Sequence, residues 1–226
     1  MSEANKDAER SRFVVKGLTR FKAEYLVMGM STTLVLAFMV LVASCMSLKP
    51  PSNTADLCKV FDEKRSWYRH ALSAEKKWQV PLPVLMAVIY RESSFIHNAR
   101  PARSRILWVI PWKRPSTAYG YSQALDETWS DYVKQTGHRN AKRTSFRDSV
   151  NFVGWYLDST AHQANLKRWD AKNLYIAYYA GISAYMKGTW REYPRLEYVA
   201  NEVEQITSNY ENQLRECKKG PGRNYY

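Results

Sequence analysis

Between Tyr25 and Leu48 the chain carries no Asp, Glu, Lys or Arg, while Arg20 and Lys22 stand just before the run. An uncharged segment of that length can cross a bilayer, and basic residues on its N-terminal side predict that everything after it leaves the cytoplasm. Next comes "SLKPPSNTAD", in which the successive Pro50 and Pro51 cannot continue a helix, so the stretch reads as a tether. A globular fold must therefore be built from the residues beyond about position 55.

The apolar run ends in "LVASC", Leu41 to Cys45, where a branched aliphatic and two small residues precede a cysteine. This resembles a bacterial lipobox, which implies cleavage before Cys45 and lipidation of that residue. The alternative is an uncleaved transmembrane helix. The predicted organisation is a signal or anchor over 1–45, a tether over 46–54, a folded domain over 55–219 and a flexible tail, "GPGRNYY", over 220–226. By the lipoprotein sorting pattern, Met46 in place of aspartate points to the outer membrane and a periplasmic domain. A single-pass inner-membrane anchor is the alternative. Outside the cytoplasm disulfides are possible. With Cys45 lipidated, Cys58 and Cys217 are left as a pair, which in the chain-entropy model would contribute about 4–5 kcal/mol. The other reading is two buried thiols.

With 45% hydrophobic and 14% aromatic residues the chain has enough apolar material for one ordinary core, which excludes disorder as its default state. Helical periodicity runs through residues 55–79, a helix opening at "PLP", and then 126–135, 146–166, 171–186 and 194–218, with strand alternation weak everywhere. The predicted fold class is all-α. Residues 96–117 hold three prolines and the tryptophans Trp108 and Trp112, too broken for one element, and read as a surface loop or flap. Phe152 and Trp155 read as core. A net charge of +13 favours an anionic partner.

In "VLMAVIYRESSF" the residues Leu85, Val88, Ile89 and Glu92 fall at i, i+3, i+4 and i+7, so Glu92 extends the apolar stripe of a helix. A carboxylate there needs a partner or a task. Burial and a helix C-terminus both disfavour its anion, so Glu92 is expected to hold its proton to unusually high pH and to serve as a general acid. A second carboxylate is hard to find. Asp126 and Glu127 are the next acids, and they read as the N-cap and first-turn charge of a helix.

Three strings in order, "ESSF" at 92–95, "YGYSQAL" at 119–125 and "IAYYAG" at 176–181, together resemble the soluble lytic transglycosylase family over roughly residues 71–187. In that family a glutamate followed by serine ends a buried helix, a Gly-Leu-Met-Gln string lines the sugar cleft, and an Ala-Tyr-Asn-Ala-Gly string packs behind the glutamate. The resemblance implies a lysozyme-like helical domain with a two-lobed sugar-binding cleft. Here Tyr121 and Ser122 replace leucine and methionine, Tyr179 stands where asparagine is usual, and Gln123 follows Glu92 at a longer interval than in typical members.

By that resemblance the chain is a peptidoglycan lytic transglycosylase with Glu92 as both acid and base. Tyr178 would contact the catalytic carboxyl and Gln123 would hydrogen-bond the sugar. Ser93 would orient sugar or carboxyl, unless its hydroxyl bonds back to the backbone, and Tyr119, Tyr121 and Tyr179 would offer aromatic faces to the glycan, with core packing as the alternative. Glycan strands and a membrane are the expected partners, and nucleic acid is not. His70, His97, His138 and His162 show no ligand spacing, and neither HExxH, CxxC nor a phosphate-cradling glycine loop occurs, so no metal or cofactor is expected. A noncatalytic peptidoglycan-binding or envelope-scaffolding lipoprotein is the rival reading, with a hydrolytic lysozyme nearer to hand.

Overall fold

The structure is a computed structural model that describes residues 49–102, 105–106, 110–111 and 116–217. The segment with the predicted anchor and Cys45, the tryptophans Trp108 and Trp112, and the tail all lie outside the described residues. The chain divides into a first unit, Met1–Lys49, and a second, Pro50–Tyr226. Every element below belongs to the second.

The expected helix over 55–79 is two helices, α1 (Leu57–Glu63) and α2 (Arg65–Trp78), broken at Lys64. The cause lies in the apolar stripe. Continuing one straight helix past the buried Phe61 would carry Lys64 and Arg65, at i+3 and i+4, into the core. Breaking there keeps Arg65 exposed and brings Trp67, Tyr68, Ala71 and Ala74 inward instead.

α3 (Leu82–Ser93) opens with Pro83 in its first turn and buries Leu82 through Ile89 without a gap. The sequence suggested one apolar stripe. The helix is instead enclosed on all sides, packed by α2, by α5 (Phe146–Gln163) and by α8 (Leu196–Cys217), which is the setting an all-apolar helix requires. Between α3 and α4 (Asp126–Thr136) the expected irregular loop contains one short antiparallel pair, Arg105–Ile106 with Ile110–Pro111.

The helix expected over 171–186 is likewise broken, into α6 (Ala171–Ala180) and α7 (Ile182–Lys187), followed by a short 3-10 turn, Thr189–Glu192. Gly181 sits between them at φ +87, a backbone conformation that side chains disfavour. α8 then runs back along α3 and α6. Its end meets α1, where Cys58 and Cys217 form a disulfide and the Gln213 side chain links the Leu57 N–H at 2.8 Å to the Ala55 carbonyl at 3.0 Å.

Candidate active site

Glu92 is the second-last residue of α3, and the chain behind it turns sharply. Ser94 and Phe95 both take left-handed backbone (φ +50 and +61), which is uncommon for residues other than glycine and often marks functional sites. Phe95 is fully buried, with ring centroids 5.6 Å from Trp67 and 5.7 Å from Tyr90. That packing pins the end of the helix so that Glu92 faces a cavity of about 520 Å³, lined also by Gln123, Thr128, Tyr156, Tyr178 and Tyr179.

The carboxyl is enclosed by protein except where it meets this cavity. Burial raises its pKa to about 7, while a hydrogen bond from Tyr175 and the charge of Arg91 pull the other way. Arg91 is itself paired with Glu202 of α8 at 3.3 Å, and it also hydrogen-bonds Tyr175. The Tyr175 hydroxyl thus stands between a guanidinium and the acid.

The tyrosine that bonds Glu92 is therefore Tyr175, one turn earlier on α6 than the residue the motif suggested. Tyr178 lines the cavity, but its hydroxyl donates to the Ser122 carbonyl at 2.6 Å and so fastens α6 to the 119–125 segment. Burial and the nearby Glu92 push the Tyr178 phenol well above its usual range. Three-residue spacing on one helix puts Tyr175 and Tyr178 on the same face, and that was the available signal for the missed residue. Tyr156 and Thr128, which also line the cavity, carried no such signal.

Gln123 reaches the cavity at φ +49, and its amide nitrogen donates to the carbonyls of Ala99 at 3.0 Å and Gly120 at 2.8 Å. Those two bonds use both amide hydrogens, so the carbonyl oxygen is the group Gln123 can offer a ligand. Tyr179 is 58% exposed at the cavity edge, in contact with Tyr193 at a centroid distance of 6.0 Å.

Three expected cleft residues lie elsewhere. Tyr121 is buried edge-on against Trp67 and Phe146 at 5.5 and 5.7 Å, because the turn between Gly120 and Gln123 points it inward, and burial raises its phenol to about 12. The buried Ser93 hydroxyl donates back to the Ile89 carbonyl at 3.1 Å. Tyr119 lies outside the cavity lining, its ring covered by Arg100 at 3.9 Å and by Arg143 at 5.4 Å.

Asp126 also needs correcting. It is the first residue of α4 and not its cap, its N–H donates to the Thr117 hydroxyl, and its carboxylate pairs with Arg143 at 2.6 Å. Among the described residues, Glu92 is the one carboxylate that lines the cavity.

No curated protein matches the chain. A family model described as a transglycosylase SLT domain matches residues 33–217, which contain every element described above. Its fold is all-α and lysozyme-like, and by that match the chain belongs to the transglycosylase SLT domain family.

Proposed function

We propose that the protein is a lytic transglycosylase that cuts the MurNAc-β-1,4-GlcNAc bond of peptidoglycan without consuming water. The observation that carries this reading is a lone carboxyl, protonated up to about pH 7, facing a cavity lined by no second acid among the described residues. Most glycosidases divide the chemistry between two carboxylates. One is enough where the substrate supplies the other groups.

Glu92 begins protonated and gives its proton to the glycosidic oxygen as the bond from that oxygen to the muramyl C1 breaks. The neighbouring N-acetyl group of the substrate stabilises the cationic carbon. The Glu92 carboxylate then takes the proton of the muramyl 6-hydroxyl, whose oxygen closes on C1 as a 1,6-anhydro ring. Glu92 ends protonated and ready for the next cycle. The Tyr175 hydroxyl and Arg91 stabilise the anion that exists between these two steps, while Tyr179 offers a ring face and Gln123 a carbonyl oxygen to the sugar.

The uncharged run at 25–48 and the "LVASC" string support an enzyme held at a membrane outside the cytoplasm, with the outer membrane favoured by Met46, and the charge of +13 suits an anionic wall polymer. Mass spectrometry of digested sacculi tests the activity. Anhydro-muramyl ends are expected. Free reducing ends, heavier by one water, would make the enzyme a hydrolase, and sacculi left intact but bound would make it a scaffold.

A further inference from the structure

Charge is spread unevenly over the domain. α8 carries the glutamates Glu197, Glu202, Glu204, Glu211 and Glu216 against the single cation Arg215. α2 is the reverse: Arg65, Arg69, Lys76 and Lys77 are all exposed, and its one acid, Glu75, is turned to the Leu82 N–H. Arg65, Arg69 and Lys76 fall at i, i+4 and i+11, which sets them in one row about 16 Å long, on the side of the helix away from the buried Trp67, Ala71 and Ala74. None of the four α2 cations forms an ion pair with a described residue. Arg147, exposed at the start of α5 and paired with Asp148 at 3.1 Å, lies close enough to α2 that burial, and then the charges of Arg147 and Arg69, hold the His70 pKa below its usual value.

The chain enters the domain beside this row. The N–H and the hydroxyl of Ser52 both bond the Glu63 carboxylate, the N–H at 3.0 Å, and Glu63 is the last residue of α1, just before α2 opens at Arg65. Ser52 stands seven residues after Cys45, a reach of at most about 25 Å when fully extended. An anchor at Cys45, or an uncleaved helix ending at Leu48, therefore keeps this corner of the domain close to the membrane. No residue of α2 is among those lining the Glu92 cavity, so the row takes no part in holding a glycan there.

Basic residues next to a membrane anchor are drawn to anionic headgroups, and a row of unpaired cations matches a plane of negative charge. The same surface repels the glutamates of α8, so attraction and repulsion together select one orientation. Resting on the membrane anchor proposed above, we infer that the α2 row docks on the anionic phospholipid headgroups of the membrane that holds the chain. Lipid charge then fixes how the domain lies on that membrane.

The full-length protein is reconstituted into vesicles of phosphatidylcholine, with or without phosphatidylglycerol, and lysine acetylation is read residue by residue by mass spectrometry. Phosphatidylglycerol should slow the labelling of Lys76 and Lys77 by about threefold or more, while Lys167 and Lys187, exposed elsewhere in the domain, keep their rates. The protection should vanish in about 1 M salt, where charges are screened beyond about 3 Å. It should vanish too in the double variant Arg65→Glu/Arg69→Glu, which alters two exposed side chains and leaves the core alone. Equal labelling in both vesicles, with the protein floating alongside each, would overturn the docking face and leave the anchor standing. Protection conferred by sacculi, and not by phosphatidylglycerol, would overturn it in favour of the wall polymer. A chain that fails to float with phosphatidylcholine alone would sink the anchor, and salt-sensitive flotation with phosphatidylglycerol, lost in the double variant, would still uphold the face.

Discussion

Glu75 and Glu92 stand at the two ends of α3, and each borders a cavity. At the first end the Glu75 carboxylate accepts the Leu82 N–H at 2.9 Å, beside a cavity of about 340 Å³ that Glu75 lines with Leu82, Trp169 and Glu211. A helix N-terminus offers free N–H groups and a positive dipole end, so an anion there completes the structure. At the other end Glu92 meets backbone carbonyls and apolar walls, with the Tyr175 hydroxyl as its neutral donor. The two residues are the same amino acid, both beside cavities, about 16 Å apart along one helix axis. What separates a structural carboxylate from a reactive one is whether its surroundings solvate the anion.

The largest test removes the carboxylate proposed to carry the proton. Glu92→Gln keeps the shape and loses the proton, and general acid-base catalysis is worth about 10²–10⁴-fold, so turnover of sacculi should fall by about that factor. The same variant should change how stability depends on pH. The folded protein holds the Glu92 proton up to about pH 7, whereas the unfolded chain releases it near 4.5. Between those values the folded state binds more protons, so the wild type loses stability as pH rises from about 4.5 through about 7. The loss should be about 2–3 kcal/mol, allowing for the side of the carboxyl that meets the cavity. Glutamine does not titrate. Urea midpoints should therefore place Glu92→Gln well above wild type at pH 8 and close to it at pH 5. Parallel curves for the two proteins would show that burial does not hold the Glu92 proton.

Next in size is the donor that partly offsets burial. Tyr175→Phe removes one hydrogen bond to a charged acceptor, worth about 1.5 kcal/mol or about one pH unit. Tyr175 lowers the Glu92 pKa, so its loss should raise it. The proposed mechanism begins with protonated Glu92, so the alkaline limb of the kcat/KM profile should move upward by about one unit. A limb that stays in place would detach Tyr175 from the acid.

The sequence was most legible where one physical demand acted alone. A lone glutamate closing an apolar helix marked Glu92, and the apolar periodicities located most of the helices. It was least legible where two demands competed. Lys64 has good helix propensity, yet helix continuation there conflicts with burial, and burial decided the break before α2. Gly181 carried a helix-stop signal that the apolar pattern on either side obscured. Tyr121 occupies a cleft position in the family string, but its bulk fills the space against Trp67 and Phe146, so the turn directs it into the core. Tyr175 lay one residue before the string that drew attention, and only the fold reveals that Glu92 and Arg91, both at the end of α3, converge on it.

The smallest effect belongs to the other end of α3. Glu75→Gln keeps an acceptor for the Leu82 N–H but gives up the charge that complements the helix dipole, and a cap of this kind is worth about 1 kcal/mol. Stability at pH 7 should drop by about that much, measured by urea denaturation, while kcat/KM and the position of its alkaline limb stay unchanged. Trp169 and the Glu211–Arg215 pair border the same cavity, so any repacking is confined to that pole. A loss of activity comparable with that of Glu92→Gln would mean that α3 transmits strain from one end to the other. An unchanged rate beside a lost kilocalorie would show that carboxylates at the two ends of one helix do separable work, one holding the helix and the other moving a proton.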